Sequence, residues 1–140
     1  MSTATSTTTS STESSAECEL IKWTGRLLDA IADGEWSAYA GSCDPTLSCF
    51  EPEARGHLVQ GMPFHRFYFD LASSTPGNMT IASPHVRFLG TDVAVVSYVR
   101  LVQQLDSDDQ PQTQSFEETR IWHRQNESWR LVHFHRSANA

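Results

Sequence analysis

EETRIWHRQNESWRLVHFHR, Glu117 to Arg136, places nine arginine, histidine or tryptophan residues in twenty positions. Read as two extended runs flanking Gln125-Asn126-Glu127, it is a β-hairpin, because alternate residues of a strand face opposite sides. The same period of two continues upstream. It predicts strands over Met79 to Leu89, Val93 to Leu105, Gln112 to Arg124 and Ser128 to Ser137, joined at Gly90-Thr91-Asp92, Asp106 to Pro111 and Gln125 to Glu127. Upstream of the meander, helical periods appear. Leu20, Trp23, Leu27 and Ile31, widened by Ile21 and Leu28, form one stripe over Glu17 to Ala32, and Asp33-Gly34 ends it. A short helix over Glu35 to Gly41 follows, then a turn at Asp44-Pro45 and a strand over Thr46 to Phe50. Glu51 to Gly61 reads as loop with a short strand at Leu58-Val59. Pro63 opens a helix whose stripe is Phe64, Phe67, Tyr68 and Leu71. These aromatics, with Phe69, are expected in the core, and Ser73 to Asn78 as a loop. Helices first and an antiparallel meander last define an α+β domain with helices on one sheet face.

The faces of the strands carry the functional signal. Arg100 shares a face with Val96, Tyr98 and Val102; Arg120 with Phe116, Glu118 and Trp122; Arg136 with Val132 and Phe134. A charge in such a row is paired, lies in a solvated cavity, or sits at a strand end and snorkels to water. Periodicity leaves these readings equal. A three-residue turn at Gln125 to Glu127 puts Arg120 and Arg136 on one face, and a two-residue turn separates them. The opposite row holds Ile121 and His123, then Trp129, Leu131, His133 and His135. It is too apolar for open water, so a subunit interface is expected there.

Composition narrows the function. With 140 residues the chain is long enough for one cored domain. A net charge of −7 argues against nucleic acid as the main partner. No apolar run approaches the roughly 18–20 residues of a membrane span. Met1 to Ala16 contains twelve Ser or Thr and no apolar core of a leader, and is expected to be a disordered tail. Cys18, Cys43 and Cys49 have no C-x-x-C spacing and point to reduced thiols in the cytoplasm. Nine arginines stand against one lysine, Lys22, a bias toward fixed, bidentate contacts.

Three long stretches, SCFEPEARGHLVQGMPFHRFYFD (48–70), SPHVRFLGTDVAVVSYVRLVQ (83–103) and SFEETRIWHRQNESWRLVHFHRS (115–137), resemble the association (hub) domain of calcium/calmodulin-dependent protein kinase II. DGEWSAYAGSCDP (33–45) fits as well. The resemblance implies a nuclear transport factor 2-like cone over residues 17–137, with 138–140 a short tail. It implies a scaffold that assembles with itself into a two-tiered ring, and kinase hub domains as further partners. It also implies a cavity for small carboxylates lined by Arg100, Arg120, Arg136 and His65, and so favours the register that unites Arg120 with Arg136. The start at Met1 and the Ser/Thr tail fit a freestanding hub-like protein. Pro63 replaces an acidic residue usual before FHRFYF, the loop at 73–78 is shortened, and Asn126-Glu127 replaces an Asp-Gly turn.

Other chemistries carry less. His123, His133 and His135 lack an acidic co-ligand on their face, so no metal or other cofactor is expected. The fold also hosts ketosteroid isomerase-like enzymes, which need a base and an oxyanion donor. Here Tyr98 is the available donor, and His65 is a better base than Glu118, whose pKa the arginines would lower. Cys49 reads as a packing thiol. Asp106-Ser107-Asp108-Asp109 lacks calcium-loop spacing and reads as a solvated hairpin tip.

Overall fold

The computed structural model describes residues 3–71 and 77–139. Three helices, α1 (Thr3–Asp33), α2 (Trp36–Ser42) and α3 (Pro63–Leu71), accompany six strands. These are β1 (Cys43–Phe50), β2 (Val59–Gln60), β3 (Gly77–Leu89), β4 (Val93–Leu105), β5 (Pro111–Gln125) and β6 (Ser128–Ala138). They form one sheet in the order β2-β1-β6-β5-β4-β3. Every pairing is antiparallel except β1 with β6, which the long connection through β2, α3 and β3 to β5 allows to be parallel.

Helix α1 buries Leu20, Leu27 and Leu28 completely and sets Trp23 against Trp122 of β5, ring centroids 6.3 Å apart. Thr24, in the same stripe, is buried because its hydroxyl donates to the Leu20 carbonyl at 2.9 Å. Gly34, at φ +67°, stops the helix: its N–H bonds to Ile31 O and that of Glu35 to Ala30 O, the paired C-terminal closure that a left-handed residue permits. At its other end α1 starts at Thr3, within the stretch expected to be a tail. Elongating an anchored helix needs no new nucleus, and Ser and Thr cost only a few tenths of a kcal/mol each.

Several local expectations are corrected. Asp44-Pro45 lies within β1, where pairing to β6 lapses between Cys43 and Ser48. A turn of 3-10 helix, Pro52–Ala54, interrupts the expected loop. Strand β3 begins at Gly77, while residues 72–76 of the expected loop lie outside the described residues. At the C-terminus Ala138 pairs with Phe116, so β6 takes in part of the expected tail. The stripe of α3 divides: Phe67 and Leu71 are 59% and 65% exposed and Tyr68 is partly exposed, whereas Phe64 packs against the core together with His65 and Phe69. The helix contributes a polar group, His65, to the interior beside Phe64 and Phe69.

The hairpin at Asn126 resolves the register by a route that turn length alone did not offer. Its loop has two residues, Asn126 (φ 51°) and Glu127 (φ 68°), with Gln125 paired to Ser128. Trp122 then pairs with Leu131, but Ile121 pairs with His133, leaving Val132 as the extra residue of a β-bulge. Beyond the bulge every β6 side chain changes face relative to β5. Arg120 therefore stands beside Phe134, and Glu118 beside Arg136, on the inner face.

Candidate functional site

Strand register builds the site. One inner row runs Cys49, Phe134, Arg120, Val96 across β1, β6, β5 and β4; the next runs Arg136, Glu118, Tyr98; the third contains Phe116 and Arg100. Helix α3 lays His65 over the first row, and α2 adds Tyr39. Between them is a cavity of about 260 Å³ lined by His65, Arg100, Arg120 and Arg136, the four residues assigned to a pocket from the resemblance, and also by Glu51, Glu53, Tyr39 and Phe134.

The arginines are fixed in a dense ionic network. Glu118, 2% exposed, receives Arg120 Nη2 at 3.0 Å and the Tyr98 hydroxyl at 2.5 Å on the same oxygen. Arg120 Nε in turn donates to that hydroxyl at 2.8 Å. Arg100 Nε lies 2.8 Å from the other carboxylate oxygen but off the hydrogen-bond line, so charge attraction holds that pair. Arg120 stacks over Phe134 at 4.5 Å, and Arg100 and Arg136 flank Phe116 at 5.1 and 5.3 Å. Arg136 is held by Glu53 at 2.5 Å and Glu51 at 3.4 Å. Three guanidiniums thus meet three carboxylates. Among the described residues, Nη1 of Arg120, on a side chain that lines the cavity and is 1% exposed, is buried without a hydrogen-bond partner, as are Arg100 Nε and, outside the cavity lining, Trp122 Nε1.

The electrostatics follow from burial and these charges. Burial opposes a charge on Glu118, but Arg120 and Arg100 outweigh it and hold the carboxyl below its usual range. Glu118 is spent on ion pairs and is a poor base. Burial pushes the His65 imidazole down to about 4, with Arg120 and Arg136 acting in the same direction. His65 is therefore neutral near pH 7 and is a weak proton acceptor. Its Nδ1 lies 3.5 Å from the Tyr39 hydroxyl and 3.9 Å from Glu51, and its Nε2 lies 3.8 Å from Cys49 Sγ. Burial raises the Glu51 carboxyl and lifts the Cys49 thiol to about 12. Glu51, Glu53 and Tyr39 were missed as wall residues because only tertiary packing brings EPE and the α2 tyrosine to the sheet. The repeated acidic residues of Glu51-Pro52-Glu53 were the available signal.

The row expected at a subunit interface divides. Trp129 and Leu131 precede the bulge and point inward; they are 3% and 0% exposed and belong to the core. Trp129 packs on Phe88 and beneath the Arg124 guanidinium. His133 and His135 follow the bulge and point outward, continuing the rows Val95–Ile121–His133–Ser48 and Ser97–Thr119–His135–Phe50. His133 Nδ1 is 2.8 Å from the Ser48 hydroxyl, and Phe50 packs against both histidine rings. His123 is exposed at the hairpin end, 3.1 Å from the Gln125 amide.

A mostly antiparallel sheet bent round helices to enclose a polar cavity is the nuclear transport factor 2-like architecture. A protein of that superfamily from Salmonella enterica shares the fold at 22% identity, with a TM-score of 0.72 over 91% of this chain and 94% of its own. Within that class, the chain belongs to the calcium/calmodulin-dependent protein kinase II association domain family, whose model matches residues 16–140. It is 49% identical over 124 residues to the delta subunit of that kinase from Oryctolagus cuniculus. The match takes in 86% of this chain and 23% of the relative, so the chain corresponds to under a quarter of the kinase subunit's length. The hub homology domain of Chlamydomonas reinhardtii superposes with a TM-score of 0.83 at 44% identity, over 89% of this chain and 98% of that one. The association domain of the C. elegans kinase gives 0.87 at 39% identity, over 90% and 98%.

Proposed function

We propose that the chain is a non-catalytic, cytoplasmic self-association module that forms a ring of dimers in two tiers. The observation that carries this is the outer sheet face. Val95, Ile121 and His133 in one row, and Ser97, Thr119 and His135 in the next, have no helix over them among the described residues, whose α1, α2 and α3 side chains pack on the inner side. Four strands presenting Val, Ile, Phe and His side by side offer a self-complementary surface of the kind a two-fold dimer uses. The hub and association domains among the relatives support the same reading. Kinase hub domains are candidate co-assembly partners through that surface. The inner cavity then serves as a receptor for a small carboxylate or a partner's acidic side chain, with Arg120 Nη1 as a free donor.

Size-exclusion chromatography with light scattering tests the assembly. The expected result is a particle of many subunits whose mass holds across a hundredfold dilution. A monomer, or a dimer that never grows, overturns the hub reading and turns attention to the isomerase-like use of the cavity, with His65 as the base to mutate.

A further inference from the structure

We propose that Cys49, Glu51 and His65 form a three-ligand site for zinc(II), open on its fourth side to the arginine-lined cavity. One ligand atom from each of the three lies within 4.8 Å of the others. The trio arises from strand alternation and one helix. Cys49 and Glu51 are two positions apart in an extended segment and so face the same way, and α3 sets His65 across them. Zinc bonds of about 2.3 Å to sulfur and about 2.0–2.2 Å to nitrogen and oxygen put tetrahedral ligand atoms roughly 3.3–3.6 Å apart. The sulfur–Nε2 distance of 3.8 Å is already close to that value. Glu51, with rotatable side-chain bonds, needs to swing toward Nε2, leaving Nδ1–H for the Tyr39 hydroxyl at 3.5 Å. That contact would orient the ring from behind, as outer-shell partners of metal-bound histidines do.

The chemistry of the ligand set selects the metal. A thiolate with an imidazole suits zinc or cobalt and not magnesium or calcium, which prefer oxygen. His65 presents Nε2 toward the Cys49 thiol at 3.8 Å, where its lone pair can bind the metal. The objection is the nearby positive charge, and the network answers it: Arg120 is compensated by Glu118, and Arg136 by Glu51 and Glu53. Binding would release the Cys49 thiol proton to solvent, so that thiolate and carboxylate neutralise the metal's two charges. Affinity should therefore rise with pH. Since Glu51 already offsets one arginine, the loaded cavity would carry one more positive charge than the empty one. His123, His133 and His135, the first place to look in the sequence, do not converge in this way.

The test uses the full chain carrying Cys18→Ser, which removes the exposed thiol. The protein is stripped of metal and titrated with cobalt(II), then zinc(II). One equivalent per chain should bind, with a sulfur-to-cobalt charge-transfer absorption that zinc displaces and that Cys43→Ser leaves intact. Cys49→Ser should abolish the absorption, and it and Glu51→Gln should each weaken zinc at least ~10-fold. Circular dichroism confirms folding of each variant. No sulfur absorption in the parent protein overturns the site by itself, whether or not the variants fold. Unchanged zinc affinity in both folded variants does the same and moves binding to the surface histidines. The titration needs neither a ring nor a carboxylate, so its failure is distinct from failure of the hub reading.

Discussion

Glu118 holds the inner face together, since two guanidiniums and a phenol converge on its carboxylate. Glu118→Gln leaves Arg100 and Arg120 without a counter-charge and should cost about 3–5 kcal/mol in denaturant unfolding. His65 makes stability depend on pH. Its pKa in the fold is about 4, against roughly 6.5 in the unfolded chain. Between those values the unfolded state takes up a proton that the folded state refuses, so stability is full above pH 6.5 and falls as pH drops toward 4. The loss from pH 7 to 5 should be roughly 2 kcal/mol, and His65→Gln should flatten that part of the profile. Arg120→Ala should abolish calorimetric binding of butyrate, a short carboxylate probe, while light scattering still reports the assembled particle. Unchanged butyrate binding would remove Arg120 Nη1 from the receptor. The arginine rows themselves were legible from strand alternation. Their counter-charges were only half so, because Glu118 stands in the same row but Glu51 and Glu53 reach Arg136 from the other end of the chain.

At the scale of elements, the bulge at Val132 matters most. It moves His133 and His135 to the outer face and brings Phe134 and Arg136 inside, while Trp129 and Leu131 stay in the core. Deleting Val132 would restore unbroken pairing with His133 still opposite Ile121 and Phe134 still opposite Arg120, so His133 and His135 stay outward and Arg136 stays inward. A native near-ultraviolet circular dichroism spectrum is the expected result; its loss with retained strand signal would mean that the local bend of the bulge, and not register alone, shapes the inner face. The turn is less demanding. Glu127 adopts φ 68°, where a side chain is strained, so Glu127→Gly should stabilise by about 1 kcal/mol, read as a higher thermal midpoint. A hairpin sets register by turn length or by a bulge, and here the bulge does so.

For the whole molecule, a one-sided arrangement of helices decides the function. With the described inward contacts of α1, α2 and α3, the outer face of β4, β5, β6 and β1 has no helical cover among the described residues. Ile121, flanked there by Val95 and His133, is the position to probe. Ile121→Glu should reduce the particle to monomers in light scattering and leave the butyrate site intact, because the cavity lies on the opposite side of the sheet. A full-sized particle from this variant would place the contact elsewhere.

From sequence alone, the α+β order, the four long strands, the α1 stripe and the alternation of arginines with apolar residues were determined, because each is a local period that neighbouring residues impose. Three-dimensional packing decided which rows share a face, which carboxylates meet the arginines, and which side of α3 turns inward. Those depend on a single extra residue in β6 and on contacts between segments some 80 residues apart, such as Arg136 with Glu51 and Glu53. A repeat of two or 3.6 residues carries no information about such encounters, since it is unchanged whichever distant segment comes to lie against it.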